Sequence, residues 1–270
     1  MQIVQKINFP IKPLVLTLTA LGGLCLIVSL FKIEFELFQG LAIKDLGYLV
    51  TPVITIGLSV SLSLMYRGRG SHGIAWIFFT ISKILFFSAE MVYEPDLEYN
   101  INDISTFAAD ILWISGYPFL FAFLVFFLKP FKKFINKNMI IKISLISVAL
   151  VTPSLYILYN YSEMEPIDNV LTGIYPILSG IMLVPTLLGA LLFLKGELNS
   201  LWLLMVFGLM SDLVGDHLYT VSNVFDEKLI GSLSDLFYQW GYILYAFAVL
   251  YFIKLFKMEY HSEKINKKMS

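Results

Sequence analysis

Of the 270 residues, 58% are aliphatic, aromatic or sulfur-bearing and only 14% are charged, where soluble domains run to roughly 25% charged; so little polar surface excludes a soluble globular fold. A formal charge of −1 spread along the chain leaves no basic footprint for nucleic acid. The single cysteine, Cys25, excludes both a disulfide framework and a thiolate metal site.

A bilayer core of about 30 Å takes roughly 20 apolar residues per helix, and the chain supplies eight such runs, near 13–31, 47–65, 74–93, 107–128, 139–160, 170–194, 200–222 and 235–256. The first follows two lysines, is longer than the apolar core of a signal peptide, and has no small-x-small cleavage site after it, so a retained first span is expected. The second ends before Arg67 and Arg69. The third carries Lys83, Glu90 and Tyr93, and leads into an acidic loop with Glu94, Asp96, Glu98 and Asp103. Lys83 lies deep in its span and leans toward the basic side, which predicts a snorkelling side chain or a pair with another helix.

The fourth run holds Asp110 and Gly116-Tyr117-Pro118 before ending on Lys129, Lys132 and Lys133. After the fifth comes a second loop with acids only, Glu163, Glu165 and Asp168. The sixth ends at Lys195, the seventh carries Asp212, Asp216, His217 and Tyr219, and the eighth runs from Asp235 through Gly241-Tyr242 to Lys254 and Lys257. Lysines and arginines therefore collect on alternate loops, with only Lys32, Lys44 and Lys228 on the others. By the positive-inside tendency this is the cytoplasmic side, so both termini are expected in the cytoplasm and the acidic loops outside.

Aligning Trp76 with Trp202 brings two long segments into register with one single-residue gap, which points to internal duplication. Gly70 and Gly196 stand six residues before the tryptophans, Glu90 and Asp216 fourteen residues after them, and Tyr93 and Tyr219 three further on. Beyond the outer loops, Asp110-x-x-Trp113-x-x-Gly116-Tyr117 matches Asp235-x-x-Tyr238-x-x-Gly241-Tyr242. Asp212 has no acidic counterpart, since Phe86 takes its place in the other copy. The expectation is an all-α polytopic membrane helix bundle of about eight transmembrane helices. One membrane domain covers 1–270, with repeat one at 11–133, repeat two at 139–257 and a basic cytoplasmic tail at 258–270. Each repeat has an even number of spans, so the two should run parallel about an axis along the membrane normal.

Helix rise puts Glu90 and Asp216 about 21 Å beyond the tryptophans, in the outer third of the core, and Asp212 near the midplane. Asp110 and Asp235 fall at the outer interface, where a carboxylate can also simply cap a helix. A lone carboxylate in hydrocarbon costs on the order of 2.5–3.5 kcal/mol by insertion scales, so the deep acids should face a bundle interior or a wet cavity. The candidate ligand-binding residues are therefore Glu90, Asp212, Asp216, His217, Tyr93, Tyr219, Asp110, Asp235, Tyr117 and Tyr242. His217 is turned by about 100° from Asp216, and no HExxH-like spacing supports a metal site. The sequence assigns no cofactor.

The run of Trp202, Gly215, Asp216, Tyr219, Asp235, Tyr238, Gly241 and Tyr242, with its partner run of Trp76, Glu90, Tyr93, Asp110, Trp113, Gly116 and Tyr117, resembles the multi-helix N-terminal membrane sensor modules of bacterial diguanylate cyclases and histidine kinases. The resemblance implies a sensor. Because only a basic tail follows Phe256, it also implies signalling through a cytoplasmic or membrane partner. Three functions stay open at this point. They are a non-enzymatic sensor or ligand-binding module in the cell membrane, a transporter of a cation or small metabolite, and an intramembrane lipid hydrolase using paired aspartates.

Overall fold

In hydrocarbon each backbone N–H and C=O has to be paired within its own segment or around a closed barrel, so long apolar runs fold as helices. The computed structural model describes residues 43–99, 103–196 and 198–269. Helix α1 is Ile43–Tyr66, α2 Gly70–Tyr99, α3 Asp103–Leu128, α4 Lys137–Tyr161, α5 Pro166–Phe193, α6 Asn199–Phe225 and α7 Lys228–Met269; a 3-10 helix, Lys129–Phe134, follows α3, and the described residues contain no strand. All seven α-helices hold a stretch long and apolar enough to cross a bilayer, from Leu49–Tyr66 in α1 to Leu229–Leu255 in α7. The chain is a multi-pass helical membrane protein. The expected first span, 13–31, lies outside the described residues. Beyond its membrane stretch α7 continues to Met269, so the basic tail extends the last helix up to that residue.

Local signals set the ends of these helices. The α1–α2 turn passes through Arg67 and Gly68 at φ of 52° and 64°, a left-handed path that a glycine takes at no steric cost. Asn136 caps α4 by accepting a hydrogen bond from the Met139 amide at 2.8 Å. Pro166 opens α5, where its missing N–H costs nothing, and Asp168 follows in the first turn. Asp226 at φ 51° closes α6.

Helices α2 and α3 form one antiparallel hairpin, with Trp76 against Phe123 near one end and Glu90 against Trp113 near the other. Helices α6 and α7 form a second, with Tyr245 beside Gly208 and Tyr238 beside Gly215. Helix α1 runs parallel to α7, touching it from Thr55–Tyr242 to Tyr66–Phe252. Helix α5 runs parallel to α3 in the same manner, from Asp110–Tyr175 to Phe193 against Phe131 of the 3-10 helix that follows α3. Helix α4 lies outside α5 and is tied to it by Ser147, whose hydroxyl donates to the Gly180 carbonyl at 2.5 Å.

The half of the bundle next to Arg67, Arg69, Lys129 and Lys195 is filled with aromatic rings. Trp76 packs on Phe123 and Phe252 at 5.1 and 5.2 Å, Trp202 stacks on Phe193 at 5.7 Å, and Phe127 stands between the two indoles at 6.1 and 5.5 Å. Trp202 fits because Gly189 has no side chain to occupy the space of its ring. Such rings bury a large area and prefer tilted and edge contacts, so this layer locks the two hairpins together. The opposite half is not filled.

Candidate functional site

Toward the end of the bundle that carries the α2–α3 and α6–α7 connections, the two hairpins part around a cavity of about 130 Å³. Seven tyrosines line it, Tyr93, Tyr117, Tyr175, Tyr219, Tyr238, Tyr242 and Tyr245, with Phe86, Trp113 and Leu120. Among these rings stand four acids, Glu90, Asp212, Asp216 and Asp235, and one base, Lys83.

The carboxylates are held by neutral donors. Glu90 accepts from the Trp113 indole N–H at 3.3 Å within its own hairpin, and from the Tyr242 hydroxyl at 3.4 Å across the cavity. Asp216 accepts from the Tyr238 hydroxyl at 2.9 Å within its hairpin and from the Ser179 hydroxyl of α5 at 2.5 Å. The Ser179 hydroxyl also shares a hydrogen bond of 3.2 Å with Tyr117, so the first hairpin reaches Asp216 through one serine. Trp113 and Tyr238 are equivalent positions in the two sequence segments, and so are Tyr117 and Tyr242. A buried carboxylate that accepts several hydrogen bonds is better tolerated than a bare one, because its lone pairs are satisfied.

Deeper in, Asp212 accepts from the Tyr245 hydroxyl at 2.6 Å. The ring of the same tyrosine carries the Lys83 ammonium, whose Nζ lies 3.6 Å from its centroid, with Phe86 at 5.0 Å, Phe79 at 5.5 Å and Tyr242 at 5.6 Å. Lys83 is only 1% exposed. Of the two expectations for it, snorkelling does not occur, and the contact with another helix is made on the rings of Tyr242 and Tyr245 of α7. Its stem points into the cavity, and four ring faces solvate the charge that water would otherwise solvate.

Two glycines let the walls close. A Cβ on Gly116 would fall 2.5 Å from the Phe86 ring, and one on Gly241 would collide with the Asp212 carboxylate. Phe86 and Asp212 are themselves the aligned pair in which one sequence segment has a ring and the other an acid.

Eight of the ten residues singled out in the sequence line this cavity, namely Glu90, Tyr93, Tyr117, Asp212, Asp216, Tyr219, Asp235 and Tyr242. Asp110 stands behind the wall, accepting a hydrogen bond from Tyr175. His217 points elsewhere, to a hydrogen bond with Ser154 of α4. Lys83, Trp113, Tyr175, Tyr238 and Tyr245 complete the site without having been singled out as ligand residues. A signal for Tyr245 existed, since Tyr238, Tyr242 and Tyr245 fall at i, i+4 and i+7 on one helix face with the acid-contacting tyrosines. Among the described residues no group of three or more His, Cys, Asp or Glu is placed to hold a metal ion.

Chemically the arrangement is a small aromatic box with negative groups in its walls and one positive group at its floor. Compared with protein-family models, with curated proteins and with solved structures, the chain gives no match in any of the three.

Proposed function

We propose that the protein is a ligand-binding sensor module of the cell membrane, built from two parallel four-helix repeats around one cavity that opens on the outer side. Both termini are then cytoplasmic, and the signal passes to a partner protein on the inner side or in the bilayer. The duplication is supported by repeated contacts as well as by sequence. The Trp113–Glu90 bond answers Tyr238–Asp216, and Gly116 beside Phe86 answers Gly241 beside Asp212. The parallel pair α1–α7 likewise answers α5–α3.

One observation carries the proposal. Glu90 and Asp216 come from different hairpins, 126 positions apart in register, yet line the same cavity, each bonded to tyrosine or serine hydroxyls. Polar groups at this depth are expensive and tend to mark ligand or ion sites. A mostly aromatic cavity with a few convergent polar groups is the usual form of a small-molecule site. The joint variant Glu90→Gln/Asp216→Asn keeps the shape of both side chains and removes their charge. It is expected to abolish ligand-dependent thermal shifts of the purified protein across a metabolite panel; shifts that persist unchanged would refute the cavity as the binding site.

Transport of a cation is a second reading. Lys83 and Asp212 lie below Glu90 and Asp216 in one cavity, so titratable groups follow one another into the bundle. Uptake into proteoliposomes separates the two readings, because a sensor moves nothing.

A further inference from the structure

The ligand-binding reading leaves the chemical class of the ligand open, and the cavity itself narrows it. We propose that the ligand is a small organic cation, an ammonium seated between Glu90 and Asp216 against the surrounding tyrosine faces. The inference rests on the cavity being a ligand site.

Three observations lead to it. First, the lining is negative on balance, with Glu90, Asp212 and Asp216 against Lys83 as the one base and Asp235 at the exposed rim. Charge at this depth is scarcely screened, so the sign of the lining weighs heavily on what enters.

Second, the walls are rings and hydroxyls. Aromatic faces attract ammonium groups, and quaternary ammonium ligands are typically held in such boxes. The protein already displays the interaction. Lys83 is 1% exposed, rests with its Nζ 3.6 Å from the centre of the Tyr245 ring, and is attracted by the Asp212 carboxylate that accepts from the same tyrosine's hydroxyl. The cavity thus stabilises an ammonium by ring faces together with a nearby carboxylate, and the side chain acts as a tethered copy of the ligand.

Third, the volume of about 130 Å³ sets the size. An apolar cavity of roughly 150 Å³ takes benzene, so the ligand has about half a dozen non-hydrogen atoms. A hydroxyl at its inner end would be met by the Lys83 ammonium. A carboxylate there would also meet Asp212, which disfavours anions and zwitterions.

The test uses the full chain in phosphatidylglycerol-free nanodiscs and four probes of nearly one shape. These are choline, its uncharged analogue with carbon in place of nitrogen, the carboxylate of that analogue, and glycine betaine. Choline is expected to bind saturably and at least about tenfold more tightly than the uncharged analogue, a ratio in keeping with a desolvated cation–π contact, and to lose that advantage in Glu90→Gln/Asp216→Asn. As a second arm, Lys83→Met empties the tethered position. Methylammonium is expected to restore part of the thermal stability this variant loses, and methanol to restore none.

Should the uncharged analogue, the carboxylate or the betaine bind as tightly as choline, with the binding lost in the joint variant, the cavity remains a ligand site and the cation assignment is overturned. If no probe binds, the assignment is overturned as well. Should a cysteine at position 90 then also resist water-soluble thiol reagents, the ligand-site reading falls with it.

Discussion

At Gly241 the missing side chain makes room for the Asp212 carboxylate, and at Gly116 for the Phe86 ring. Forcing an extra methyl into a packed site typically costs about 1–3 kcal/mol. Both Gly116→Ala and Gly241→Ala are therefore expected to lower the melting temperature of the detergent-purified protein. Gly241→Ala should in addition displace Asp212 from Tyr245 and lower ligand affinity, and an affinity equal to that of the unaltered protein would contradict the assignment of Asp212 to the site. His217 gives the opposite case. Its bond to Ser154 joins α6 to α4 away from the cavity, and interhelical hydrogen bonds in membranes are worth about 0.6 kcal/mol on average, with a maximum near 1.7 kcal/mol. His217→Ala should cost stability on that scale and leave ligand binding as it was, which a titration of the variant would show. The acids were legible in the sequence because a carboxylate in an apolar run has so few places to go. For Lys83 the partner expected on another helix could not be named, because the lean of a helix side chain gives only the direction of its Cβ. The rings that hold its ammonium belong partly to α7, more than 150 positions away along the chain. Tyr175 was missed for a related reason, since the acid it bonds, Asp110, lies on another helix and Asp168 of its own helix stands two turns away.

Among the elements, α4 and α5 show how small residues set a contact. Gly180 lies against Val151, and the Ser147 hydroxyl reaches the Gly180 carbonyl. Close approach of this kind is a common way for membrane helices to associate without a hydrophobic driving force. Gly180→Val is expected to push α4 from α5 and to destabilise the protein by about 1–3 kcal/mol. Although α4 contributes no residue to the cavity lining, Ser179 beside Gly180 donates to Asp216, so ligand affinity measured well below the melting temperature is expected to fall as well. Seven of the eight spans expected from the apolar runs correspond to described helices, with ends that differ by at most six residues over the membrane stretches. Helix α7 was underestimated, because its last fourteen residues carry charges all round and give no apolar stripe from which a helix could be read. Prolines 52, 118, 153, 176 and 185 all lie inside helices, as membrane bundles allow where neighbouring groups satisfy the freed carbonyls.

In the molecule as a whole, an aromatic half locks two hairpins together through Trp76, Phe127 and Trp202, and in the open half their acids share one space. The distribution of charge predicts which half faces the cytoplasm. In a Cys25→Ser background, single cysteines at Glu163 or Asp226 should react with an impermeant maleimide added to intact cells, while those at Lys133 or Lys195 should react only after lysis; the reverse pattern would invert the topology. The shared cavity can be addressed in the same background. Glu90→Cys and Asp216→Cys, separately and together, can be treated with a small water-soluble thiol reagent that delivers a trimethylammonium group. If two distant carboxylates have been turned toward one water-accessible space, each cysteine reacts from the same side of the membrane, and in the joint variant modification stops at one label per chain because the first fills the room for the second. Two labels per chain, labelling from opposite sides, or reaction only with lipid-soluble reagents would contradict it.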